Sequence, residues 1–228
     1  MSGPDGRRRR IRMTTSRLLA AGIAAGPVFL TVWLVQALTR DGFDPTRHPI
    51  SLLGLGPGGW VQIANFVVTG ALLIGFAVGL RRVLHPGRAG TWAPVLFALN
   101  GIGLIVAGVF VTDAGAGFPA GAPEGAPESI SWHGLLHEVG FVTVSVSWLA
   151  VCVVLLRRFR AAGRRGWAVA CVVAPLLWIV VGAWPDADSL SLRLVLGTVI
   201  SFGFTAALAA TLASAQGFAI RNVSASTP

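Results

Sequence analysis

The chain has 228 residues, 54% of them hydrophobic and 12% charged, with a mean hydropathy of +0.73. A soluble domain carries about a quarter charged residues, so this composition excludes an ordinary water-soluble globule; it also excludes disorder, which needs low hydrophobicity and high net charge. The net charge is +9, every basic residue is Arg, and the Arg residues stand in short clusters between apolar runs, a placement that points to membrane topology and anionic headgroups and not to nucleic acid.

A helix needs about 20 mostly apolar residues to cross the hydrocarbon core. Six stretches meet that length, near 18–39, 59–80, 91–112, 136–156, 167–184 and 194–216. The prediction is an all-α polytopic membrane protein, a six-transmembrane-helix bundle over 18–216. A basic arm (1–17) precedes it and a short tail (217–228) follows. The arm holds six Arg between Arg7 and Arg17. Val35-Gln36-Ala37 resembles a signal-peptide cleavage site, but the run 18–39 is longer than a signal h-region, about 7–15 residues, so an uncleaved first span is expected.

The first loop carries Arg40, Asp41, Asp44 and then Arg47-His48-Pro49-Ile50-Ser51. Span two holds Gln62, Asn65 and a Gly75/Gly79 pair. His85 follows among Arg81, Arg82 and Arg88 and reads as a surface residue. On span three, Gly101, Gly103, Ala107 and Gly108 predict close helix contact, and Gln62, Asn65 and Asn100 predict interhelical hydrogen bonds. Pro94 is expected in the first turn, where its missing N–H costs nothing. The segment 113–134 reads as an ordered turn region or a lid; composition leaves both open.

Ser131 or Ser129 is the expected N-cap of span four. Five Arg lie between spans four and five, Arg157, Arg158, Arg160, Arg164 and Arg165. Pro175 should kink span five. Span six is rich in Ala, Gly, Ser and Thr. Cys152 and Cys171 lie in apolar runs and are expected as buried, unpaired residues. Trp60, Trp132 and Trp184 fall near one interface, as an aromatic belt requires.

The loops alternate in charge. Fifteen Arg, including the arm and Arg221, fall on one side and three on the other. The opposite loops hold Asp41, Asp44, Asp113, Glu124, Glu128, Asp186 and Asp188. The positive-inside rule then places both termini in the cytoplasm of a multi-pass cell-membrane protein.

Three of the four His fall on the extracytoplasmic side. His133 and His137 are spaced i, i+4 and share one helix face, about 5–6 Å apart at Cβ, a spacing that can place two imidazoles on one metal. Gly134 follows His133, so the zincin Glu is absent. A zinc site would need a third ligand, with His48 or Asp113 available. The first turn of a helix disfavours imidazolium, and neutral imidazole is the metal-binding form. Asp113, at the C-terminal end of its helix, would be relieved by a cation, with Arg47 at hand. Against this stands the plainer reading: these residues cap helices and hydrogen-bond between them.

Arg47-His48-Pro49-Ile50-Ser51-Leu52-Leu53, Gly59-Trp60-Val61-Gln62 with Phe66, Gly101-Ile102-Gly103-Leu104, Gly108-Val109-Phe110 with Asp113, and His133-Gly134-Leu135-Leu136-His137 together resemble an uncharacterised membrane family, domain of unknown function number 998. The resemblance runs from span one to span six and implies a six-helix integral membrane protein without an assigned activity. The polar set alone is similar to that of the alkaline ceramidase and adiponectin-receptor superfamily, whose Ser, Asp and three His surround zinc. There several helices separate the Asp from the His pair, where here one loop does.

Two functions follow as expectations. One is a zinc-dependent hydrolase of a lipid or small amphiphile. His48, His133 and His137 would hold the metal, Asp113 would orient or deprotonate a water, and Ser51 would donate to the oxyanion. The other is a non-enzymatic bundle that binds or organises membrane lipid or assists a membrane partner. The oligomeric state is open.

Overall fold

The computed structural model describes residues 4–127, 129–186 and 189–225, with side chains described from Met13 to Gln216. Glu128, Asp188, the side chains of Arg7 to Arg12 and that of Arg221 lie outside what is described.

Six α-helices follow one another: α1 (Pro4–Thr39), α2 (Gly59–Leu84), α3 (Arg88–Val109), α4 (Trp132–Ala161), α5 (Arg165–Gly182) and α6 (Leu190–Ala225), with a 3-10 helix at Ile50–Gly54. Each contains a stretch long and apolar enough to cross a membrane. Among the described residues there is no strand, only an isolated bridge between Gly115 and Phe118. The protein is a multi-pass membrane protein with an all-helical fold.

Helices run past the expected spans in several places, including α6, which continues to Ala225 through most of the expected tail. The basic arm is helical from Pro4; Arg is among the better helix formers, and Pro is tolerated in a first turn. At α4 the expected cap is found: the helix starts at Trp132, and the Ser131 side chain accepts from the Gly134 N–H. Helix α3 starts earlier too, at Arg88, so Pro94 lies in its second turn and not its first. Pro94 therefore withholds the N–H that the Gly90 carbonyl would receive. Arg81 supplies the replacement: its Nη1 donates to Gly90 O at 2.7 Å and to Thr91 Oγ1 at 2.8 Å.

The helices close into a ring. Each packs on its successor, and α6 returns to pack on α1. Close approach is set by glycines. A Cβ at Gly70 would lie 2.4 Å from Gly101 O, and one at Gly101 would lie 2.5 Å from Gly70 O. Gly103 and Gly140 repeat the arrangement between α3 and α4, at 2.8 and 2.7 Å. Backbones this close gain van der Waals contact that lipid cannot replace. Of the expected Gly75/Gly79 pair, only Gly79 is in such contact, with Leu18 of α1.

The half of the ring near the Arg loops is solid. Leu80, Phe97, Leu155, Phe159 and Leu208 pack there with little exposure. Helix α5 is the loosest wall, since Cys171 is its one buried residue. Asn100 Nδ2 donates to Val144 O at 2.8 Å and joins α3 to α4. Gln62 accepts from Gln36 Nε2 at 2.7 Å and joins α2 to α1.

Candidate functional site

The loops at the end opposite the Arg clusters are tied together. Arg47 pairs with Glu124 at 2.6 Å. Ser191 Oγ donates to His48 O at 2.7 Å and to Pro45 O at 2.9 Å, fastening the start of α6 to the first loop. The segment after α3 is an ordered turn region where described: the N–H groups of Ala116 and Gly117 donate to Gly125 O and Pro123 O, and Phe118 is buried against Phe43 and His48. Trp60, Trp132 and Trp184 are exposed at this same end.

His48 is buried and committed at both ring nitrogens. Its Nδ1 accepts the Asp44 N–H at 2.8 Å, so Nε2 carries the proton and donates to Ala116 O at 3.0 Å. A ring engaged this way has no lone pair left for a metal. The Asp44 carboxyl is held below its ordinary value, chiefly by hydrogen bonds from the Thr46 side chain and N–H.

His133 and His137 do share a face of α4, and both reach the end of α3. His133 Nδ1 donates to Val111 O at 2.9 Å. His137 Nδ1 donates to Ala107 O at 2.7 Å and Phe110 O at 3.1 Å. The last carbonyls of a helix lack intrahelical donors; His137 supplies one to Ala107 O, and the two imidazoles also bond the Phe110 and Val111 carbonyls just past the helix.

Asp113 meets α4 from the other direction. Its Oδ2 accepts the Ser131 N–H at 2.9 Å, and its Oδ1 lies 3.9 Å from His133 Nδ1. The carboxylate thus sits at the positive N-terminal end of α4, which replaces the Arg47 contact expected from sequence. Its pKa is lowered, first by the hydrogen bond from the Ser131 side chain, with partial burial pulling the other way. Gly134 makes room for this: a Cβ there would lie 2.0 Å from Asp113 Oδ2.

The structure therefore brings Asp113, His133 and His137 to one α3–α4 junction and keeps His48 in a separate aromatic cluster. Among the described residues, no three His, Cys, Asp or Glu side chains gather closely enough to hold a metal ion. The five residues singled out do not fit a shared zinc as they stand.

What the ring does enclose is a cavity of about 580 Å³, lined by residues of all six helices and by Ile50 and Ser51 of the 3-10 helix. Binding cavities run about 300–1,000 Å³. On α6 the lining runs from Leu190 to Thr205, roughly 22 Å of helix, which is more than half the hydrocarbon thickness. Phe29, Leu73 and Trp148 wall it with little exposure, whereas Phe141 of α4, Ile179 of α5 and Leu190 of α6 are exposed. The cavity is thus closed on the α1–α2 side and open toward α5. Of the site residues expected from sequence, Ser51 and His137 line it. Arg193 lines it too, with its terminal nitrogens donating to Gly182 O at the end of α5 and to Trp184 O and Asp186 O beyond it. The α6 lining is hard to see in sequence. Its one signal is Thr198, Ser201 and Thr205 recurring on one face of an apolar helix.

No curated protein and no solved structure matches this chain. A family model described as a protein of unknown function, DUF998, matches residues 23–216. That range takes in most of the apolar part of every helix and the whole cavity lining, and the chain belongs to the DUF998 family.

Proposed function

We propose that this protein binds an amphiphile inside the bilayer, in the cavity enclosed by its six helices. The observation that carries the reading is the cavity itself: about 580 Å³, apolar over most of its wall, and flanked by exposed residues of α4, α5 and α6. A lipid tail fills such a space, and a lateral opening lets it enter from the membrane. The charge asymmetry of the loops supports a cytoplasmic Arg end, with both termini there, and a lateral cavity mouth in the opposite half of a cell membrane. The polar residues near the mouth act chiefly as helix caps, which is the non-enzymatic reading of the sequence.

The test is occupancy. Leu194→Trp and Thr198→Trp put bulk into the lining without touching the glycine contacts. Native mass spectrometry of wild type, released from mild detergent after lipid exchange, should show a one-to-one lipid adduct. Both variants should lose it while melting as cooperatively as wild type. An adduct that survives both substitutions would defeat the reading.

One feature favours the zinc hydrolase as a second reading. His133 and His137 each donate Nδ1–H to a backbone carbonyl, as metal-ligating histidines do. Stoichiometric zinc in purified protein, lost in His137→Ala, would support it. Metal-free protein with unchanged lipid binding would leave the cavity reading alone.

A further inference from the structure

The polar groups facing the cavity are unequal in what they offer. Each hydroxyl on the α6 wall donates back into its own helix: Thr198 to Leu194 O, Ser201 to Thr198 O and Thr205 to Ser201 O. Ser145 on α4 does the same to Phe141 O. Such groups retain only acceptor lone pairs.

Asn100 has spent its amide protons on Val144 O and Ser147 Oγ, so its Oδ1 is what remains. His137 donates from Nδ1 to the α3 carbonyls, so its Nε2 is an acceptor. Among the described residues, no hydrogen bond reaches Asn100 Oδ1, His137 Nε2 or Ser51 Oγ. The one charged lining residue, Arg193, has three of its N–H groups on the Gly182, Trp184 and Asp186 carbonyls, and its buried Nε has no partner among the described residues. The interior therefore holds two open acceptors, Asn100 Oδ1 and His137 Nε2, beside uncharged donors in the Ser51 hydroxyl and the indole N–H groups of Trp148 and Trp178, with Arg193 engaged on backbone carbonyls at the edge.

Resting on the amphiphile-binding reading, we propose that the ligand is an uncharged amphiphile bearing a hydroxyl, of the long-chain alcohol or monoacylglycerol class. A hydroxyl satisfies one of the open acceptors, His137 Nε2 near the mouth or Asn100 Oδ1 at depth, and Ser51 can serve the ligand's oxygen. A carboxylate or phosphate has no proton to give these acceptors and would set its negative charge beside their lone pairs. Leaving buried acceptors unpaired next to a charged head is expensive.

The experiment compares three probes of one tail length: 1-tetradecanol, tetradecanoate and tetradecane. Each is titrated into detergent-solubilised protein, well above the carboxylate titration range, and bound probe is counted by native mass spectrometry. The alcohol should bind about tenfold or more tighter than both the others, the ratio one hydrogen bond to a buried acceptor gives. His137→Phe and Asn100→Leu remove the two acceptors, and at least one should bring the ratio toward unity.

Equal binding of all three probes to wild type, lost in Thr198→Trp, would overturn the hydroxyl preference and leave the amphiphile site standing. Tighter binding of tetradecanoate would overturn it in favour of an anionic ligand held by Arg193. Failure of every probe to bind would defeat both readings. The wild-type comparison needs no variant to fold.

Discussion

At the scale of single residues, the junction of α3 and α4 is held by a close fit between one carboxylate and one glycine. Asp113 lies over the first turn of α4, and Gly134 is the residue beneath it. Gly134→Ala should cost about 1–3 kcal/mol, the usual range for forced overpacking, read as a fall in the thermal midpoint. The cause is the carboxylate, so the same substitution should cost clearly less in an Asp113→Ala background. Equal costs in both backgrounds would assign the loss to something else. Acid should act on the same contact. The Asp113 pKa lies below its ordinary 3.8 in the folded protein. The folded state therefore binds its proton less readily than the unfolded state. The stability this contributes is fully present above the ordinary value and fades as pH falls through the lowered one. Melting from neutral pH down toward pH 3 should show a decline that is absent or shallower in Asp113→Asn. Ser131 is legible as a cap because a Ser before an apolar run is a local signal. The fate of His48 is not, since its partners are backbone atoms of residues 44 and 116, and nothing in the local sequence states that 116 comes near.

At the scale of elements, hydropathy reveals the six helices because lipid demands an apolar run from each one. It errs where the demand stops. Helix α3 begins in the loop ahead of its apolar stretch, and that displaces Pro94 into its second turn and calls on Arg81. Gln36, which stands in a cleavage-like tripeptide, is buried and bonded to Gln62; one polar residue within an apolar run does not announce its partner on another helix. The glycine contacts are legible as close approach but not as pairs. The pairing predicts that Gly101→Val, whose side chain would run into Gly70 O and Ile74, destabilises far more than Gly75→Val, where the neighbours stand at 3.8 Å. Chemical denaturation in detergent should separate the two by about 2 kcal/mol or more. Similar midpoints for both would mean that the α2–α3 crossing tolerates separation.

At the scale of the whole molecule, ring closure cannot be read from sequence. It depends on α6 returning to α1, where Gly26 admits Phe202, and the lining positions are mostly apolar residues spread over every helix. What the sequence does carry globally is the charge asymmetry, and it makes a claim about orientation that side-chain packing alone does not. The loops that bind one another near the cavity mouth hold Arg47, Glu124 and Asp113. The opposite end holds Arg81, Arg82 and the 157–165 cluster, where Arg158 Nη1 donates to Leu84 O. Moving the second set across a bilayer would carry many more cations than moving the first, which is why the positive-inside rule discriminates so strongly here. Cysteine labelling tests it directly. The native Cys152 and Cys171 are buried within helices, so they contribute little background. Gly121 and Gly163 are exposed, each has open space where a Cβ would point, and they lie in opposite loops. Both have positive φ, at 90° and 67°, so each cysteine variant should first be shown to melt normally. In intact cells, a membrane-impermeant maleimide should label Gly121→Cys and spare Gly163→Cys. Permeabilised cells should label both. The reverse pattern would invert the topology and put the cavity mouth on the cytoplasmic side.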